Sequence, residues 1–338
     1  MSRTRTPVVP VLLLALLTVI AAGCGGSSSD SGGDGSAGKL SLVAYSTPKE
    51  AYAEIVPAFN KTPEGKDVGF DQSYGSSGEQ SRAIEGGLNA DIAALSLQPD
   101  VDKLVEAGLV AEDWNQDEFD GFVTNSVVVF ATRKGNPKKI RTWEDLTKSG
   151  VEVITPNPFT SGGAKWNLMA AYGAALQRGE SEADAEDFLA RLLKNVPVQD
   201  KSARESLQTF TGGKGDVLIA YENEAIAAQQ AGEEVDYVIP DETILIENPA
   251  AVLEDGNKQK AQAFLDFVRS EPAQEIFAEK GYRSILPELV NEKTYPRPAK
   301  LFEIDKLGGW DAVNAKFFDP DDSVVADINR ELGQSLGD

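Results

Sequence analysis

The sequence of 338 residues contains no histidine and a single cysteine, Cys24. Without histidine, a Ser-His-Asp triad, a His-ligated zinc site and a histidine general acid or base are excluded. One cysteine also excludes an intramolecular disulfide and a cysteine cluster. These absences favour a binding protein over an enzyme.

The sequence also has fewer basic than acidic residues. The chain has 32 Lys and Arg against 54 Asp and Glu, so its formal net charge is -22 at pH 7. This acidity argues against nucleic acid, and against an anionic lipid surface, as a partner. A site for an anion would therefore depend on local, oriented hydrogen-bond donors and not on net charge.

Residues 1–23 have the pattern of a secretory signal peptide. Arg3 and Arg5 form a basic region, and an apolar stretch from Val8 to Ala22 follows it. That stretch is short for a membrane-spanning helix. We therefore predict an extracytoplasmic mature protein.

A lipid anchor is predicted at the end of this segment. Gly23-Cys24 resembles the junction of a bacterial lipobox, so Cys24 is the expected lipidation site at the outer face of the cell membrane. A plain secretory signal with an unused cysteine is the alternative. Residues 24–38 are mostly Gly, Ser and Asp and are expected to form a flexible tether. Contact with the membrane is expected through the lipid only.

The chain from residue 39 onward is long enough for two lobes. Strand-like apolar stretches alternate with segments of helical spacing, which indicates an α/β fold. The β-branched run Val123 to Thr132 is long enough to cross between lobes, and Ile244 to Leu253 would lead the chain back. The predicted division is lobe 1 at 39–122 and 244–300, lobe 2 at 123–243, and a tail at 301–338 that packs on the body.

Four short, hydroxyl-rich turns follow apolar stretches, and each has the pattern of a helix start. A helix start presents unpaired backbone N–H groups at the positive end of the helix dipole, and four of them in two halves of one chain predict an anion site. The turns are Ser46-Thr47-Pro48-Lys49-Glu50, Gly75-Ser76-Ser77-Gly78-Glu79-Gln80, Thr160-Ser161-Gly162-Gly163-Ala164 and Ser202-Ala203-Arg204-Glu205. Capping boxes are predicted at Thr47–Glu50, Ser77–Gln80 and Ser202–Glu205.

The third turn is the most specific of the four. Ser161 is the predicted N-cap, and Gly162 and Gly163 would leave N–H groups that a ligand can approach closely. A purely structural turn is the alternative. Lys165 and Arg204 stand just inside the third and fourth helices, where they would either bias the site positively or be solvated.

Longer stretches resemble the sulfate-binding proteins of bacterial ABC importers. The resemblance covers nearly all of residues 40–318 in order. The matching stretches are Asp71 to Gln80, Arg133 to Pro137, Val153 to Pro158, Ser161 to Asn167, Gly215 to Glu224 and Gly308 to Trp310.

The resemblance implies a two-lobed, periplasmic-binding-protein-like fold of type II, each lobe a mixed sheet flanked by helices, which closes on a dehydrated sulfate in the cleft between the lobes. It also implies a monomer that needs no cofactor, is not an enzyme, and delivers its ligand to an ABC permease and its ATPase. Carried over by position, the backbone donors are Ser46, Ser77, Gly162, Gly163 and Ala203, and the hydroxyl donor is Ser161. Tyr221 stands where the family has an indole donor; taken alone, its position at a strand end also suits a core residue.

Sulfate is the expected ligand, with thiosulfate as a second candidate. Sulfate carries no proton at neutral pH and needs only donors, whereas phosphate needs an acceptor for its proton. Glu50 and Glu205 are expected to fold back onto their own N-caps and so leave no outward acid. The alternatives are a receptor for molybdate or phosphate, a sulfate- or phosphate-ester hydrolase, and a sensor or adhesion module.

Overall fold

The structure is a computed structural model, and it describes residues 38–337. The predicted signal peptide at 1–23 and the lipidation site Cys24 lie outside these residues, as does the predicted tether except for its last residue. Within 38–337, no helix is long and apolar enough to cross a membrane.

Nine strands of the described chain form one mixed sheet. Its order is β2-β1-β3-β8-β4-β6-β5, with β7 added to β4 and β9 added to β8. The strands are β1 (Lys39–Tyr45), β2 (Gly69–Gly75), β3 (Ile92–Ala94), β4 (Phe122–Arg133), β5 (Val153–Ile154), β6 (Val217–Tyr221), β7 (Val235–Val238), β8 (Glu242–Val252) and β9 (Lys300–Phe302).

Two long strands, β4 and β8, connect the two halves of this sheet. They pair antiparallel with each other, Val127 opposite Leu245. Beyond this pairing β8 continues onto β3 of the first half, with Ala250 opposite Ala94. In the other direction β4 continues onto β6 of the second half. The β-branched content of β4 suits such a strand, which is buried along most of its length.

Parallel pairs occur on both sides of this connection. In the first half β1 lies parallel to β2 and β3, and in the second half β5 lies parallel to β6. The antiparallel β4 and β8 make both halves mixed, as the sequence predicts. The molecule has the two-lobed fold of the periplasmic-binding-protein type. The residue boundaries assigned to the lobes from the sequence stay a prediction.

Eleven α-helices of residues 38–337 cover the sheet. They are α1 (Lys49–Phe59), α2 (Ser77–Glu85), α3 (Gln98–Glu106), α4 (Gly162–Gln177), α5 (Glu182–Lys194), α6 (Ala203–Thr211), α7 (Glu222–Gln230), α8 (Lys258–Arg269), α9 (Glu271–Glu279), α10 (Gly309–Val313) and α11 (Val324–Leu332). The amphipathic pattern from Ala261 to Lys280 predicts a single helix, and this prediction is wrong. The segment is divided into α8 and α9 at Ser270, because Pro272 fits the first turn of a new helix and not a helix interior.

Each half has its own apolar core. In the first half Tyr52 and Phe59 of α1 meet Phe277 and Phe264 edge to face, at ring distances of 5.7 and 5.2 Å. In the second half α4 is buried on nearly every side, which is typical of a helix at the centre of a core. Such packing holds the start of α4 in a fixed place.

The C-terminal segment packs against α4. Trp310 meets Trp166 edge to face at 4.6 Å, and Phe302 covers Gly173 so closely that a Cβ on that glycine would lie 2.3 Å from its ring. A glycine is therefore required at this contact. Phe302 and Trp310 thus both pack on the core helix α4.

Candidate anion-binding site

All four predicted turns begin helices. The helices α1, α2, α4 and α6 start at Lys49, Ser77, Gly162 and Ala203. Ser46 differs from the other candidates, because the N-cap of α1 is Pro48 and Ser46 therefore lies in the turn ahead of the helix. Its N–H is a loop donor and not a helix-end donor.

Two of the three predicted capping boxes are wrong. The N-cap of α2 is Ser76, and the Ser77 hydroxyl instead donates to Asp100 Oδ2 at 2.6 Å. Glu50 does not reach back to Thr47, because its carboxylate pairs with Arg204.

The third box, at α6, forms nearly as predicted. Ser202 Oγ accepts from the N–H of Glu205 at 3.2 Å, and the Glu205 carboxylate accepts from Lys201 N–H at 3.1 Å. The carboxylate thus folds back at the helix start, one residue before the N-cap. Glu205 is therefore occupied within its own turn.

The candidates of the second half lie together. A Cβ built on Gly163 would lie 3.5 Å from Ala203 Cβ, 3.5 Å from Ser161 Oγ and 3.6 Å from Tyr221 Cε1. The start of α4, the start of α6 and the end of β6 therefore converge on one point. These three segments come from separate parts of the sequence. Tertiary packing, including the burial of α4, places them side by side.

The first half reaches the same point from the other side. A Cβ on Gly162 would lie 2.1 Å from Ser96 Oγ and 2.7 Å from Leu97 Cγ, and one on Gly78 would lie 3.1 Å from the Thr160 carbonyl. The segment between β3 and α3, and the start of α2, thus touch the start of α4. In this structure the two halves are closed against each other here, and only glycine fits at position 162.

Arg204 links α6 to the turn before α1. Its Nε donates to the Ser46 carbonyl at 3.0 Å, and its Nη1 and Nη2 donate to the Glu50 carboxylate at 2.9 and 2.5 Å. The guanidinium is thus committed to the opposite half of the molecule. It holds Ser46 near Ala203.

Lys165 is directed toward the C-terminal segment. Its Nζ donates to Asn314 Oδ1 at 2.9 Å and lies 4.9 Å from the centre of the Phe318 ring. Burial lowers the pKa of Lys165 to about 8. The predicted positive bias of the anion site by Lys165 stays a prediction.

The five backbone candidates have free N–H groups. None of Ser46, Ser77, Gly162, Gly163 and Ala203 donates to a backbone carbonyl within residues 38–337. The Ser46 and Ser77 residues are only 7% and 2% exposed, and both glycines are buried. Buried N–H groups without partners are costly, so this arrangement calls for an acceptor between them.

The two candidate hydroxyls, of Ser161 and Tyr221, also make no hydrogen bond that stabilises the described fold. Ser161 is the N-cap of α4, as predicted, but its side chain accepts no capping hydrogen bond. The Tyr221 hydroxyl is buried and has no hydrogen-bond partner in the described chain. With the five N–H groups, these two hydroxyls make a set that we call the donor cluster.

Two residues near the cluster were not predicted. Ser96 has a buried hydroxyl without a partner in the described chain. Glu224 Oε2 accepts from the Tyr221 N–H at 3.1 Å, while its Oε1 is unpaired among the described residues. Burial raises the pKa of Glu224 to about 7. The hydrogen bond from the Tyr221 N–H and the charge of Arg204 lower this pKa, but by less than burial raises it. Glu224 belongs to the strand-end stretch that the sequence marks, whereas no local pattern marks Ser96.

Within residues 38–337, no group of three or more His, Cys, Asp and Glu side chains is placed to hold a metal ion. Two other carboxylates near the cluster are paired with neighbouring groups. Asp100 accepts from Ser77 Oγ, and Glu50 accepts from Arg204. The arrangement is thus rich in donors and suits a small, fully ionised anion.

Two lobes joined by crossing strands, with buried donors where they meet, define a solute-binding protein. Comparison with known proteins narrows the class. Residues 40–283 match the family described as "Bacterial extracellular solute-binding protein". The chain is 44% identical over 329 residues to the sulfate-binding protein of Synechococcus elongatus, covering 93% of this chain and 94% of that protein.

A solved structure agrees with this comparison. The sulfate-binding protein SubI from Mycobacterium tuberculosis H37Rv superposes with a TM-score of 0.81 at 42% identity, covering 83% of this chain and 100% of that one. A thiosulfate-binding protein of Pseudomonas aeruginosa is 34% identical over 82% of this chain and 88% of its own length.

The chain therefore belongs to the bacterial extracellular solute-binding proteins, in the group that contains sulfate- and thiosulfate-binding members. The relatives reported above are named as sulfate- or thiosulfate-binding proteins and not as enzymes.

Proposed function

We propose that this protein captures sulfate in the donor cluster and delivers it to an ABC permease with its ATPase. The observation that carries the proposal is the convergence of five unpaired N–H groups and two unpaired hydroxyls at the contact between the lobes. A dianion without protons accepts at every oxygen, so a set of donors suits it.

The free energy of such a set is sufficient. About seven hydrogen bonds to a charged group, at roughly 1.5–3 kcal/mol each, give ~10–20 kcal/mol, whereas micromolar binding needs about 8 kcal/mol. Stripping water from the dianion and closing the lobes consume the difference. Hydrogen bonds from uncharged donors are therefore sufficient, and no positively charged side chain has to contact the ligand.

Closure is part of the proposed mechanism. Ser46 and Ser77 belong to the proposed lobe 1, and Ser161, Gly162, Gly163, Ala203 and Tyr221 to the proposed lobe 2. The full donor set therefore exists only when the lobes meet, and Arg204 joins them through Ser46 and Glu50. Sulfate would thus stabilise the closed form that a permease recognises.

Thiosulfate is the second candidate ligand. The similarity to a thiosulfate-binding protein supports it. Tyr221 also bears on selectivity, because its hydroxyl accepts as well as donates, unlike the indole expected at that position. Molybdate and phosphate are the competing tetrahedral oxyanions. A sensor or adhesion role is also open to an anchored binding protein; a permease and an ATPase encoded beside this chain would argue against it.

Anchoring is a separate proposal. Gly23-Cys24, after the basic and apolar segments, supports lipidation of Cys24 and attachment to the outer face of the cell membrane. Mass spectrometry of the membrane fraction is expected to find an acylated N-terminal cysteine. A mature protein that begins at another residue and is free in the medium would contradict it.

Titration calorimetry tests the ligand. Sulfate is expected to bind with micromolar or tighter affinity, thiosulfate comparably or more weakly, and phosphate much more weakly than sulfate. A preference for phosphate or molybdate would contradict the proposal. Turnover of an aryl sulfate would instead support the hydrolase alternative.

A further inference from the structure

The two helix starts of the second half are reached through two short segments. Residues 155–160 lead from β5 to the turn before α4, and residues 195–202 lead from α5 to α6. The positions of these two segments therefore set the distance between the N–H groups of Gly162 and Gly163 and the N–H group of Ala203.

Asn157 joins the two segments and shapes the first of them. Its N–H donates to the Asp200 carbonyl at 2.8 Å, which is a direct link between the segments. Its Oδ1 accepts from the Phe159 N–H at 2.8 Å, and its carbonyl accepts from the Ser161 N–H at 2.9 Å. Asn157 is buried, so these hydrogen bonds are shielded from competing water.

Thr160 adds a second link closer to the donors. Its Oγ1 donates to the Lys201 carbonyl at 2.8 Å. Thr160 directly precedes Ser161, and Lys201 lies two residues before Ala203. The segments are thus connected at two points, each within a few residues of a helix start.

The residues after α11 lie along the segment that leads to α6. We call residues 333–337 the C-terminal strap. Gln334 Nε2 donates to the Val196 carbonyl at 2.9 Å, and Gln334 Oε1 accepts from Gln199 Nε2 at 2.8 Å. One side chain of the strap therefore binds two positions of this segment.

The same strap also contacts the segment that leads to α4. The Ser335 carbonyl accepts from Asn157 Nδ2 at 2.9 Å. Gly337 has a φ of +91°, and a Cβ on it would lie 3.0 Å from Phe159 Cβ and 3.1 Å from Thr160 Cγ2. The strap thus bridges both segments from the side, and Asn157 is the residue on which the bridge and the direct link meet.

Resting on the proposed function, we infer that Asn157 and the C-terminal strap fix the distance between the starts of α4 and α6 and thereby select sulfate over a larger tetrahedral oxyanion. Asn157 and Gln334 are positioning residues in this mechanism. Sulfate and molybdate both carry two negative charges, but molybdate is larger. Donors held at a distance that suits sulfate bind the larger dianion with poorer hydrogen-bond geometry, whereas donors free to move apart accommodate it.

The experiment measures the ratio of sulfate to molybdate affinity by calorimetry, at mildly alkaline pH where both ligands are dianions. Gln334→Ala releases the strap from Val196 and Gln199. It is expected to lower the ratio about twofold to tenfold, the worth of one hydrogen bond. Gln262→Ala, which removes the exposed bond to Asp266 on α8 of the other half, is the matched control and leaves the ratio unchanged.

A double variant tests whether the two residues act through the same bridge. Asn157→Ala is expected to lower the ratio at least as much as Gln334→Ala, because it removes both the strap contact and the Phe159 bond. Once Asn157 no longer holds Ser335, release of Gln334 should add little, so the double variant is expected to match Asn157→Ala. Should Asn157→Ala fail to fold, Gln199→Ala removes the opposite partner of Gln334 and carries the same expectation as Gln334→Ala.

The outcomes separate positioning from general stability. A strap that only stabilised the fold would weaken the binding of both anions equally, so an unchanged ratio in folded Gln334→Ala and Asn157→Ala overturns the inference. Equal affinities for sulfate and molybdate in the wild type overturn it as well, while sulfate binding leaves the proposed function intact. Absence of sulfate binding in the wild type removes the proposed function itself.

Discussion

Arg204 of α6 and Glu50 of α1 form an ion pair between the lobes, with Nη2 2.5 Å from Oε2. The two residues are 154 positions apart, and the same guanidinium also binds the carbonyl of Ser46. The pair therefore joins the two halves beside the donor cluster. We expect its strength to add to the free energy of closure.

Glu50→Gln is expected to weaken sulfate binding modestly. Both partners are partly exposed, and such pairs are worth about 0–1 kcal/mol, which corresponds to a roughly one- to fivefold rise in Kd. Arg204→Gln is expected to cost more, since it also removes the bond to Ser46. Calorimetry measures the Kd of both variants.

Lys39→Gln, which breaks the exposed pair with Asp71 within one half, is the control and leaves Kd unchanged. An equal effect of Lys39→Gln and Arg204→Gln, which both remove one positive charge, would show that net charge, and not closure, is being measured.

Ser161→Ala separates ligand binding from helix capping. Because the Ser161 side chain accepts no capping bond, the change is expected to leave the ligand-free melting temperature unaltered. Loss of a donor to a charged ligand should reduce affinity by roughly 1.5–3 kcal/mol. Ser181→Ala is the reverse control, since Ser181 caps α5 by accepting from Asp184 N–H and should cost about 1 kcal/mol of stability with no change in affinity. A normal sulfate affinity in Ser161→Ala would exclude its hydroxyl from the site.

Local signals made the four helix starts predictable. Serine, threonine and glycine followed by helical spacing mark a helix N-terminus wherever the chain is folded, and Ser161-Gly162-Gly163 carries this signal without ambiguity. The long strand β4 was equally visible, because a run of β-branched residues without a turn allows few other structures. The family resemblance then ordered these elements into two lobes.

Contacts between distant segments were not predictable. The side chain of Glu50 has two uses that look the same in sequence, a capping box and an ion pair, and the closed arrangement with Arg204 decides between them. Ser96 lies on an unremarkable stretch and is near the donor cluster only because the segment after β3 places it over Gly162. Such roles depend on tertiary contacts that no local pattern carries.

Glu224 gives the ligand-free protein a pH-dependent stability. Burial raises its pKa from 4.5 to about 7, so the folded state holds the proton between these values while the unfolded state has released it. The contribution is fully present below about pH 4.5 and is lost as pH rises through 7. Glu224→Gln imitates the protonated form, so it should melt at a higher temperature than the wild type at pH 8 and at a similar one at pH 4.5.

The difference between the two proteins isolates Glu224, because Glu247, whose pKa burial raises to about 7, has the same sign and is common to both. Glu64→Gln, at an exposed position, is the control and should follow the wild-type curve. Parallel curves for the wild type and Glu224→Gln would mean that this carboxyl titrates normally.

The paired glycines at the start of α4 give the strongest test of where the anion binds. Gly162→Ala places a methyl group 2.1 Å from Ser96 Oγ across the lobe contact, so it should hinder closure and cost about 1–3 kcal/mol of affinity.

Gly163→Asp meets Ala203 and Tyr221 only at ordinary distances of 3.5 and 3.6 Å, and an acid in the first turn favours the helix dipole. Its fold should therefore be intact, but its carboxylate would face a dehydrated dianion. We expect normal melting without ligand and no sulfate-induced rise in Tm, against a full rise in the wild type and a reduced one in Gly163→Ala. If Gly163→Asp keeps the full rise, the anion does not bind at this helix.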